Sequence, residues 1–174
     1  MRRSFRFAFA FLPLAFATAL PVAAADNPAV QHLLDRWNKS RDYTIELAQQ
    51  MPAESYVSRP NDAEMTFGEQ VVHIADGILF MIQNYPSGKV ASFDQKKADK
   101  ETAIADLKRA FDAGAAAIGT LSDADLLTKI VDTGEGKMTA NEAMLLLFEH
   151  VEHHRGQIVV YLRFKNIKPV DYRF

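Results

Sequence analysis

The sequence predicts an all-α protein, a four-helix bundle with long connections. Three observations lead there. Four stretches carry apolar residues at steps of three and four, the period of an amphipathic helix. Two of them begin at a Thr-x-x-Glu capping box, Thr66 with Glu69 and Thr139 with Glu142. Proline and glycine punctuate the segments between them. Four such helices bury their stripes by packing on one another around one core.

The first helix opens at Asn27-Pro28, with Pro at an early helical position, and stops at Pro52. Val30, Leu33, Leu34, Trp37, Ile45 and Ala48 form its stripe. The second spans residues 67–84, from the Thr66 cap to just before Pro86, and is apolar at Val71, Val72, Ile74, Ala75, Ile78, Leu79 and Ile82. The third covers 99–120, with Ile104, Leu107, Phe111, Ala115 and Ile118 in register. The fourth runs over 140–164 and leads into an irregular tail. Each connection exceeds ten residues, so crossover wiring is as open as simple up-and-down order. The last connection contains "TKIVD", a candidate short strand, followed by the breakers Gly134 and Gly136.

The first 25 residues are set apart from the bundle. Arg2, Arg3 and Arg6 precede an apolar run, and Ala23-Ala24-Ala25 precede Asp26. That is the layout of a secretory signal peptide with an A-x-A cleavage site. The alternatives are an uncleaved N-terminal anchor and, from Arg2-Arg3, a twin-arginine signal. Residues 26–174 are then a single domain, expected in the periplasm or outside the cell, with no membrane association after cleavage. Without the signal, 17 of the 20 basic residues remain against 22 acidic ones, a formal charge of −5. A mildly acidic chain without a basic run is a poor nucleic-acid binder. Cysteine is absent, which excludes disulfides, zinc–thiolate sites and cysteine nucleophiles.

The chemistry lies in the histidines. On the fourth helix the inward stripe passes through Ala140, Met144, Leu147, His150, Val151, His154, Ile158 and Tyr161. His150 and His154, one turn apart, have Cβ atoms about 5–6 Å from each other and can reach a common metal ion. The local sequence is "HVEHH", with Val151 where the zincin HExxH motif has Glu. His153 is turned about 100° from His154 and is read as a solvated neighbour of Glu149, or as a flanking group. A metal site needs a further ligand, and His73, in the middle of the second helix, is the candidate. His32 is read as partly exposed and structural. Glu69, Asp76 and His153 are the candidates for orienting a ligand or moving a proton, although Glu69 can instead serve only the capping box. Gln157 is a candidate second partner for a ligand. Gly156 costs about 1 kcal/mol inside a helix, and the close approach of another helix is the expected reason.

The segment "HVEHHRGQ" on the last helix, His73 on the second and the "NIKP" tail resemble the DinB-like (DinB/YfiT) superfamily of metal-binding four-helix bundles. The resemblance covers about residues 28–172. It implies that His73, His150 and His154 hold a divalent metal ion, often zinc or nickel, with water at the open positions. Several similar proteins are transferases or isomerases acting with thiols such as bacillithiol or mycothiol, and dimers are frequent. Those thiols are mainly cytosolic, and an exported chain departs from that setting. The expected function is a metal-dependent enzyme, either a hydrolase or a thiol S-transferase, acting on a small molecule. The alternative is a metal- or ligand-binding protein without turnover. A homodimer is an open possibility.

Overall fold

The computed structural model describes residues 27–82, 98–134 and 136–173. The signal peptide expectation and the end of the second predicted helix lie outside these residues. Four long helices form the bundle: α1 (Pro28–Gln50), α2 (Phe67–Ile82), α3 (Lys100–Gly119) and α5 (Ala140–Phe164). A short helix, α4 (Asp123–Thr128), and an antiparallel hairpin of β1 (Ile130–Asp132) and β2 (Lys137–Thr139) fill the last connection. The protein is all-α in class, as the periodicity predicts.

The ends of the helices are capped as the sequence implies. Thr66 Oγ1 accepts from the Glu69 amide, and Glu69 Oε2 accepts from the Thr66 amide at 2.6 Å. Thr139 and Glu142 form the same box at α5, and Asp99 caps α3. The start of α1 is capped from a distance. The Asp123 carboxylate accepts from the Ala29 and Val30 amides, while Asn27 Oδ1 accepts from the Asp123 amide. At its other end, Lys100 Nζ donates to the Gln49 and Met51 carbonyls, satisfying acceptors that the helix leaves open.

Around the bundle the order is α1, α3, α2, α5 and back to α1. Consecutive long helices α1 and α2 are therefore diagonal, as are α3 and α5, and both connections are crossovers. Trp37 locks α1 to α3. Its ring lies 4.9 Å from that of Phe111, and its indole N–H donates to the Phe111 carbonyl at 2.8 Å. Gly114 leaves room for it, because a Cβ there would lie 2.5 Å from the indole. Phe67, Ile74, Ile78, Leu107, Leu147 and Val151 complete the centre of the core.

"TKIVD" does contain a strand. Val131 pairs with Met138, and Gly134 and Gly136, both at positive φ, shape the turn. The sequence reading did not anticipate α4. Its six residues bury only Leu126, too little for a period to show, although Ser122 and Asp125 make a full capping box. Gly156 corrects an expectation: it is exposed, and a Cβ there would meet no atom within 4 Å. No second helix approaches it. It lines a cleft of about 540 Å³ between α1, α5 and the C-terminal tail, with Tyr43, Val159, Arg163 and Lys168.

Candidate metal centre

Helices α2 and α5 pack side by side and bring their stripes together. Gln70, His73 and Gly77 lie on α2 at steps of three and four, hence on one face. His150 and His154 face them from α5. The ligand atoms of His73, His150 and His154 all lie within 4.8 Å of one another. Ring centroids are 4.4 Å apart for His73–His154, 4.8 Å for His150–His154 and 5.4 Å for His73–His150. All three are half-buried, so the cluster is neither sealed in the core nor spread on the surface.

The donor set fits a cation in three respects. Nε2 of His150 is buried and makes no hydrogen bond, an arrangement that is costly unless something else occupies the site. Two of the three imidazoles are held neutral, the form that ligates a metal. His154 is pushed down to about 4, first by burial and then by the neighbouring His73, His150 and His153. His150 is lowered by burial and by His73; the His73 carbonyl opposes this without reaching hydrogen-bonding geometry. Finally, Nδ1 of His154 lies 3.0 Å from Gln70 Oε1, which leaves Nε2 free to coordinate.

Two site residues escaped the sequence reading. Gln70 is the partner of His154 Nδ1, the role expected of Gln157. It is 5 % exposed and sits one turn before His73, and a buried glutamine on an apolar stripe was the available signal. Gly77 is the other. A Cβ there would run into the His150 ring, so the helix backbone itself forms the wall against which that imidazole rests. A glycine four residues after His73 was the signal.

The remaining candidates separate. Glu69 is engaged in its capping box with Thr66. Asp76 acts on α3, where its charge contributes to raising Asp106, behind the larger effect of burial. His153 is exposed and meets His154 edge-on, with ring centroids 4.8 Å apart. His32 is exposed on α1. Arg155, next to His154, is 6 % exposed and belongs to the packing of α1: it donates to Ser40 Oγ at 2.7 Å and lies over the Tyr43 ring.

The fold and cluster define an all-α bundle with three histidines placed to hold a metal ion. The chain belongs to the DinB family, whose model matches residues 24–165. It is similar to the uncharacterized protein YjoA of Bacillus subtilis, at 26% identity over 140 residues, 79% of this chain and 88% of that one. Its fold is shared with the crystal structure of a DinB-like protein from Bacillus cereus (TM-score 0.72, 20% identity), which covers 82% of this chain and 97% of the other. The crystal structure of YjoA aligns with a TM-score of 0.63 at 20% identity, over 81% of this chain and 96% of that one.

Proposed function

We propose that this chain is an exported metal-dependent enzyme, holding zinc or nickel on His73, His150 and His154. The observation that carries the reading is convergence: three imidazoles from two helices present ligand atoms within 4.8 Å of one another. When bound, such an ion lowers the pKa of a water or thiol at its remaining positions. The protein contributes orientation and proton handling. Gln70 holds one ring of the site, the α2 backbone at Gly77 holds another, and exposed His153, edge-on to His154, is the candidate for moving a proton. Of the two reaction types, hydrolysis and thiol S-transfer, hydrolysis is the better match. The N-terminal layout supports export, away from the cytosolic thiols that similar proteins use. The substrate is a small molecule; an acidic mature chain has little attraction for nucleic acid.

Elemental analysis of untagged protein, wild type against His150→Ala, tests the reading. About one zinc or nickel per wild-type chain, lost in the variant, is the expected result. Equal metal content in the two proteins, or none in either, overturns it. Assays of the loaded protein on ester, amide and phosphoester substrates then test turnover. A tightly held ion with no turnover on any of them would make the protein a carrier.

A further inference from the structure

Glu152, Gly156, Val159 and Arg163 succeed one another on α5 at steps of four, three and four, so they share a face. His154 lies two residues before Gly156, about 200° around the helix, on the flank packed against α2. The face of Gly156 therefore opens away from the histidine cluster. It forms one wall of the cleft of about 540 Å³ between α1, α5 and the C-terminal tail. That volume is of the size of small-molecule sites.

The opposite wall is pinned in place. Gln50 on α1 grips the tail at two points: its Oε1 accepts from the Val170 amide at 3.0 Å, and its Nε2 donates to the Lys168 carbonyl at 3.1 Å. Arg173 pairs with Glu46 at 2.6 Å, and the Tyr172 ring meets that of Tyr43 edge-on. The floor is open at Gly156, where no neighbouring atom comes within 4 Å of the position a Cβ would take.

The cleft is locally positive. Arg155, Arg163 and Lys168 line it against the carboxylates of Glu152 and Asp171, whereas the whole chain has a formal charge of −2. Arg155 is 6 % exposed, yet its carboxylate partner, half-exposed Glu152, stands at 3.6 Å, beyond hydrogen-bonding distance. A buried charge is costly unless it is well paired. Among the described residues, the side chains of Arg163 and Lys168 form no ion pair. Tyr43, Val159 and Val170 add apolar surface beside these cations.

We propose that this cleft is a second ligand site, separate from the metal centre, for a small organic anion. Its carboxylate or phosphate is held by Arg155, Arg163 and Lys168, and its apolar body lies over Gly156 against Tyr43 and Val159.

Nitrogen–proton correlation spectra of the protein, titrated with benzoate and with phenyl phosphate, test this. Saturable shifts of the Gly156, Val159 and Val170 amides are expected with at least one of them, and the pair shows which headgroup the site takes. The neutral counterparts, benzamide and phenol, should bind at least about ten-fold more weakly, the scale of a lost hydrogen bond to a charged group. Arg163→Gln should weaken binding by a similar factor. Lys108→Gln, which removes the same charge from α3 outside the cleft, should not. Gly156→Leu fills the floor without changing the charge and should abolish binding. The proposal is overturned if neither anion gives saturable shifts up to about 10 mM, where a millimolar site is filled. Equal binding of the neutral compounds, or unchanged affinity in folded Gly156→Leu, overturns it too. Shifts confined to the residues around His73 and His150 would place the anion at the metal centre and reject the cleft. If Gly156→Leu does not fold, Arg163→Gln decides, and unchanged affinity there counts against the site.

Discussion

Gly77 and His150 occupy each other's space: the imidazole lies where the glycine's Cβ would be. In an ordinary helix, Gly→Ala stabilises by about 1 kcal/mol. Here the added methyl must push the ring away from α2, and overpacking costs about 1–3 kcal/mol. Gly77→Ala should therefore melt no higher than the wild type and bind zinc at least about ten-fold more weakly, the scale of a displaced outer-shell support. Chelator competition and thermal melting check this. A higher melting temperature with unchanged affinity would show that the contact is unimportant.

His150→Leu separates stability from binding. The buried Nε2 without a partner costs about 1–3 kcal/mol, and leucine removes it at roughly similar volume. Metal-free His150→Leu should be more stable than metal-free wild type in urea. It should also lose the rise in melting temperature that zinc gives the wild type. A variant less stable than the metal-free wild type would count against an uncompensated nitrogen.

Acid should loosen the metal-free protein through His154. Its folded pKa, about 4, lies below the unfolded value of 6.5. Between those two values the unfolded chain binds more protons, so stability falls as the pH drops through the window. Above 6.5 the contribution is constant. Urea denaturation at pH 7, 6, 5 and 4 should show the decline, and His154→Gln should reduce it, leaving the part that comes from His150, which burial also lowers. The capping carboxylates Asp99, Asp125 and Glu142 have lowered folded values, so their loss comes at still lower pH.

Gly156→Ala should stabilise the protein by about 1 kcal/mol, because the backbone there is helical and the space beside it is open. Urea denaturation reads this directly. Destabilisation would mean that the cleft beside α5 does not tolerate a methyl group.

The two mid-helix glycines show where sequence reasoning reached its limit. Both carry the same cost and the same signal, a missing side chain inside an apolar pattern. Reading along one helix tied Gly156 to close packing because a costly glycine inside a helix needs a reason. The structure assigns that role to Gly77. A glycine's reason lies on the neighbouring helix, and helical period carries no information about which neighbour stands opposite. The histidine triad was legible because its chemistry is local on α5, where His150 and His154 are one turn apart. His73 was the remaining histidine on an apolar stripe. Gln70 was hidden for the opposite reason: its partner, His154, lies on another helix. The four long helices were readable from period and caps. The interlude of α4 and the hairpin was mostly too short to produce a period.

The diagonal wiring of the bundle separates the halves of the site along the chain. Gln70 and His154 stand 84 residues apart and meet only when α2 and α5 lie side by side. No single helix contains the whole cluster, so an early folding intermediate lacking that pairing has no high-affinity place for an ion. A cation that binds only the finished arrangement stabilises it by mass action. Metal content would then record how many molecules had completed their folding, making occupancy a measure of maturation as well as of chemistry.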